Sequence, residues 1–154
     1  MSNYQAPNYV LNEVKPTRDK TSQEVYKRWL NRRASSHFNR DKKGYNGKYT
    51  IEEYRVAIHE AVRKSEGKDK YTGKFLKWEL ISTFNNKKAK RKGWKYMKKF
   101  SDLPTVDHVN RGENKLNFNI CSWRVNDSKS NMTLKVYIHL AVQIIAFNKK
   151  RNKK

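Results

Sequence analysis

Apolar residues recur along this chain in short stretches of helical spacing, separated by breaks rich in glycine and lysine. Residues 1–20 hold Pro7 and Pro16 among scattered polar residues and read as an extended arm. Thr21-Ser22-Gln23-Glu24 has the form of a capping box, where a hydroxyl and a carboxylate satisfy free backbone donors at a helix start. Val25, Trp29 and Leu30 follow on one face, and the spacing predicts a helix to about His37. Asn39–Tyr49, with Gly44 and Gly47, reads as a loop. Thr50-Ile51-Glu52-Glu53 is a second capping box. Ile51, Tyr54, Ile58, Ala61 and Val62 then repeat at helical spacing up to Gly67, a C-terminal cap.

Tyr71-Thr72-Gly73 marks a tight turn, and the apolar stretch Phe75–Phe84 fits a helix or a strand, with helix preferred. Leu103–Val109 has the β-branched residues and entry proline of a short strand. Arg111-Gly112-Glu113-Asn114 is a turn, Asn117–Cys121 the returning strand, and Ser122–Ser130 a short helix started by Ser122. Thr133 caps a last helix whose apolar set includes Leu134, Tyr137, Ile138, Ala141 and Ile145. Lys135, His139 and Gln143 interrupt its apolar run, Leu134–Phe147, which falls short of the roughly 18–20 residues that span a bilayer and reads as a packed helix. The fold class expected is α+β, a mainly helical single domain: arm 1–20, helical region 21–70, core 71–148 and basic tail 149–154.

Charge narrows the partners. Lys+Arg number 36 against 14 Asp+Glu, a net charge of +22, so the chain attracts polyanions: DNA, RNA or an anionic membrane surface. Four Trp, nine Tyr and six Phe argue against wholesale disorder. The dense basic stretch Lys87–Lys99 encloses Trp94, Tyr96 and Met97. It reads either as a solvated loop or as a phosphate-contacting surface, with Lys90, Arg91 and Lys92 as candidate contacts. Arg28, Arg32 and Arg33 line the first helix, where contact to phosphate and contact to bases look alike in sequence. Cys121 is the single cysteine, which excludes an internal disulfide and a Cys-rich zinc site and is compatible with a reducing compartment. Met1–Lys15 is polar and lacks the form of a secretory signal, so a cytoplasmic location is expected.

The chemistry concentrates between residues 103 and 131. Asp107 and His108 are adjacent on the first strand. In a regular strand their side chains point to opposite faces, so both serve one site only where the strand ends or bulges. Asn126 falls on the following helix, which can pack across the hairpin. The series Val106-Asp107-His108-Val109, Asn117-Phe118, Asn126 and Lys129 is similar to the HNH nuclease motif, including the nine residues from 117 to 126 (126 − 117 = 9). With Asp-His and two Asn it resembles the HNH domain of RNA-guided CRISPR nucleases. Tyr71-Thr72-Gly73 is more weakly similar to the knuckle turn of many HNH proteins.

The resemblance implies a ββα-metal finger over about 103–131 and one-metal hydrolysis of phosphodiester bonds, with double-stranded DNA as the substrate. Asp107 and Asn126 would bind one Mg²⁺ or Mn²⁺ and His108 would be the general base. Asn117 would hold the His108 loop through side-chain bonds to backbone, and Lys129, Arg124 and Arg111 would contact phosphate. A restriction-type, phage or mobile-element enzyme, encoded by a bacterium or phage, is the implied setting. One site per chain cuts one strand, so a homodimer would suit double-strand cleavage.

Many members carry two cysteine pairs on a structural zinc. Two of those positions here are Ser122 and Val125, so no structural zinc is expected and packing by Phe118, Ile120, Trp123 and the final helix must hold the finger. Plainer readings stand beside these: Asp107 as a turn cap, Asn117 as a turn residue, Asn126, Lys129 and Arg124 as solvated surface, and His37, His59 and His139 as structural or exposed. The alternative function is a non-catalytic basic nucleic-acid-binding protein; a membrane partner is not expected.

Overall fold

The computed structural model describes residues 21–42, 48–109 and 115–151. Residues 1–20, read above as an arm, 43–47 of the segment read as a loop, 110–114 with Arg111, read as a turn, and 152–154 of the tail lie outside the described residues. Helix α1 spans Gln23–Lys42, and its cap is Ser22, whose Oγ accepts from Val25 N–H at 3.3 Å, one residue later than the Thr21 box predicts. The helix also runs past His37 into the segment read as a loop. Its last turn carries the buried Asp41, which Tyr54 Oη grips by donating to Oδ2 at 2.9 Å. Helix α2, Ile51–Ser65, has the full Thr50/Glu53 box and ends on Glu66 in the left-handed region.

The expected helix over Phe75–Phe84 does not form. A single 3₁₀ turn, Trp78–Leu80, interrupts an irregular segment, and Ser82 at φ 67° is incompatible with helix. Leu76, Trp78 and Ile81 are nevertheless buried, because they fill the space between α1, α2 and the hairpin. Trp29 and Trp78 meet edge to face at 5.5 Å, beneath Tyr26, Leu30, Tyr54, Ile58 and Val62.

The stretch Lys87–Lys99 is mostly a helix. α3 spans Asn86–Met97, capped by Asn85 Oδ1, which accepts from Lys88 N–H at 2.9 Å, and a 3₁₀ turn, Lys98–Phe100, follows. Gly93, at φ 56° and ψ −144°, breaks α3 in a conformation that L side chains rarely adopt. No α3 residue is buried.

Strand β1, Pro104–His108, pairs antiparallel with β2, Phe118–Ser122, in a register that sets Asp107 opposite Asn119 and His108 opposite Phe118. β2 leads directly into α4, Trp123–Lys129, whose N-cap Ser122 accepts from Val125 N–H at 3.3 Å. The described residues thus form a mainly helical α+β fold around a two-stranded sheet.

Helix α5, Leu134–Arg151, starts at Thr133 as expected, but it is not a packed helix. None of its residues is buried, and its described side-chain link to the body is the 2.7 Å bond between Tyr137 Oη and Ser128 Oγ. It therefore does not hold the hairpin. No described helix is long and apolar enough to cross a membrane.

Candidate functional site

Strand alternation sorts the residues at the end of β1. Val106 and His108 face α1 and α2, whereas Asp107 faces α4 and the 69–73 turn. Asp107 is 7% exposed, and its Oδ2 takes two partners. Lys129 Nζ, from α4, lies 3.2 Å away, and Tyr71 Oη donates a short hydrogen bond to the same oxygen. Asn119 Nδ2 in turn donates to Tyr71 Oη at 3.3 Å. Burial and the neighbouring Asp107 push the Tyr71 phenol well above its usual range, which keeps it a donor. Lys129 Nζ also donates to Met132 O at 3.0 Å, which fixes the ammonium between the helix end and the strand end. Asn126 lies one turn before Lys129 on the same face of α4 and is half-buried.

The His108 ring is on the other side of the strand. Nε2 donates to Lys115 O at 3.1 Å, and the buried Nδ1 lies 3.2 Å from Asp41 Oδ2, off the axis of a hydrogen bond. The ring also packs on Phe118 at 4.8 Å and His37 at 6.1 Å. Asn117 is joined to the strand end through backbone, its carbonyl accepting from Val109 N–H at 2.9 Å. The structure therefore brings together Asp107, Lys129 and the Asn126 face of α4, and places His108 next to them in sequence but against α1.

Of the other candidates, Arg124 is paired with Asp102 at 3.1 Å. Lys90, Arg91 and Lys92 are exposed on α3 beside Trp94, which is 69% exposed. Arg28, Arg32 and Arg33 line clefts between α1 and the segment around Ser82, to which Arg32 Nη2 donates at 2.6 Å. Burial, then the nearby Arg32 and Arg40, lower the pKa of Arg33.

A second carboxylate has no counterpart in the sequence reading. Asp69, 2% exposed, accepts from Tyr71 N–H at 2.8 Å and Thr72 N–H at 3.1 Å through Oδ1, and from Ser122 N–H at 2.8 Å through Oδ2. It clamps the 69–73 turn to the end of β2, where α4 begins. Sequence reasoning also missed Asp41, Tyr71 and Asn119. Only Tyr71 carried a signal, as part of the turn; the others are defined by contacts across long stretches of chain.

No family model, curated protein or solved structure matches this chain. Among the described residues, no three His, Cys, Asp or Glu side chains group to hold a metal ion. The pair implied by the resemblance is one carboxylate and one amide oxygen, hard donors that suit Mg²⁺ or Mn²⁺ by type. The Lys129 ammonium is the cation beside Asp107 in this structure.

Proposed function

We propose that this chain is a metal-dependent DNA endonuclease of the HNH type, its hairpin and α4 forming a ββα-metal finger. The observation that carries the reading is the 3.2 Å contact of Lys129 Nζ with Asp107, which holds α4, the helix of Asn126, at the strand end that carries Asp107 and His108. Asp107 and Asn126 would hold one Mg²⁺ or Mn²⁺. Bound there, the ion would offset negative charge on the scissile phosphate and the leaving oxygen.

The remaining work falls to the chain's own groups. Tyr71 holds the Asp107 carboxylate in place, and Lys129 exchanges that carboxylate for a phosphate oxygen. His108 takes a proton from the attacking water at Nε2. Nε2 can accept that proton only after leaving the Lys115 carbonyl, with the ring's own proton on Nδ1, directed to Asp41. Asp41, itself anchored by Tyr54, is the positioning residue behind the ring. Lys90, Arg91, Lys92 and Arg124 supply phosphate contacts on duplex DNA.

One observation favours a second reading, a basic protein that binds nucleic acid without cutting it: the His108 ring is turned towards α1, away from a carboxylate that already carries an ammonium. Supercoiled plasmid separates the two. With Mg²⁺ or Mn²⁺ the nuclease reading expects nicked or linear product, abolished by EDTA and reduced at least ~100-fold in His108→Ala, the scale of a lost general base. Cleavage indifferent to both treatments refutes the assignment. Salt-sensitive binding with no product under either metal establishes the second reading.

A further inference from the structure

Arg33 is half-buried on α1, and no carboxylate among the described residues pairs with it. Its guanidinium carbon lies 6.0 Å from the centre of the Trp29 ring. Its charged neighbours are cations, Arg32 and Arg40, and both make its own charge harder to hold. A guanidinium withdrawn from water beside like charges is unfavourable until an anion joins it. A cleft of about 320 Å³ opens at this point, lined by Trp29, Arg32, Arg33, Ser36, Ser82 and Phe84 among others. It is rich in donors. The buried Nε1–H of Trp29 has no acceptor among the described residues. Arg32 Nη2 donates to Ser82 Oγ at 2.6 Å, which leaves the hydroxyl proton of Ser82 to be donated in turn.

We infer that this cleft is a phosphate site, in which Arg32 and Arg33 together hold one phosphate of a nucleic-acid backbone. Guanidinium forks match the oxygens of a phosphate, and a pair of them offsets its charge. The position of the pair decides between backbone and bases, which the sequence leaves open. The face of α1 that carries Arg32 and Arg33 lines a cleft against the segment around Ser82, so it cannot enter a groove where base edges are read. A chain of net charge +22 meets a polyanion before a small anion. The inference rests on the binding of nucleic acid that both readings above share, and not on cleavage.

The test follows the Arg33 Nε–H signal of the full chain by nuclear magnetic resonance, assigned by its loss in Arg33→Gln. A short duplex without terminal phosphates should shift it. A shift with inorganic phosphate alone overturns the backbone as the ligand and assigns the cleft to a free anion. A duplex that binds without moving the signal overturns this inference alone, and a duplex that does not bind overturns both nucleic-acid readings with it. Arg32→Gln/Arg33→Gln should weaken duplex binding at least ~10-fold, the scale of a lost charged hydrogen bond. It should lower the slope of log affinity against log salt by about 1, for one phosphate. Lys149→Gln/Lys150→Gln removes the same charge from the end of α5, and near physiological salt it should cost less than ~3-fold. Equal losses in the two variants overturn the site by reducing it to general charge. Without DNA the Tm of Arg33→Gln should not fall, since the substitution relieves the crowding of cations. A lower Tm with unchanged affinity overturns the inference by making Arg33 a packing residue.

Discussion

At the scale of single residues, the most consequential group is Asp69. It is almost fully buried and takes three backbone N–H groups from two segments that are far apart in sequence. Each buried donor left unsatisfied costs about 1–3 kcal/mol, so Asp69→Ala should destabilise the fold by about 3–5 kcal/mol. That is a large fraction of the roughly 5–15 kcal/mol available to a domain, and a denaturant midpoint will read it. A variant within ~1 kcal/mol of wild type would mean that the clamp is dispensable. None of this was legible beforehand. An aspartate before a turn looks like an ordinary turn residue, and its partner Ser122 lies 53 positions away. Asp107 and Lys129 were picked out by their place in a motif, but the ion pair between them was not, since spacing along a chain says nothing of which side chains meet across a hairpin.

At the scale of elements, legibility followed local chemistry. α2 was readable because a capping box and a regular apolar repeat agree, and β1, β2 and α4 because β-branched residues, a proline and Ser122 mark them. α3 was passed over because it has no apolar stripe to show a period. Its signal was there in another form: a run of Lys, Ala and Arg, all good helix formers, behind a capping asparagine. The segment around Trp78 failed for the opposite reason, its apolar residues serving the core without regular backbone. Since Lys90, Arg91 and Lys92 are exposed, their charges can be removed without harm to the fold. Lys90→Gln/Arg91→Gln/Lys92→Gln should leave thermal stability within ~0.5 kcal/mol of wild type. If all three side chains touch phosphate, the slope of log affinity against log salt on duplex DNA should fall by up to about 3. An unchanged slope would remove α3 from the interface.

At the scale of the whole molecule, pH sets two effects against each other. A +22 chain repels itself, and the repulsion relaxes only as lysines lose protons near their ordinary value of about 10.4. Before that, Cys121 matters. Burial first, then the nearby Asp107 and Asp69, push its thiol up, so its folded value lies above its unfolded value of about 8.5. A group raised in this way contributes stability that is fully present below the unfolded value and is lost as pH climbs towards the folded one. Raising pH from 7.5 to 9.5 should therefore cost about 1 kcal/mol, seen as a lower Tm. Cys121→Ala should lack that drop, whatever its own baseline; an equal drop in both proteins would assign the effect elsewhere. The phenols of the buried Tyr54 and the half-buried Tyr71, shifted in the same direction, extend the loss above pH 10.

The Asp69 clamp has a consequence for how this molecule can be handled. In HNH proteins stitched by zinc, a strong chelator threatens the scaffold and the reaction together. Here a carboxylate joins the 69–73 turn to β2, so stripping divalent ions should leave the fold intact, and on the nuclease reading proposed above that form would bind DNA without cutting it. Such a stalled form could be footprinted on DNA of defined sequence before any bond is broken, and then started by adding a divalent ion.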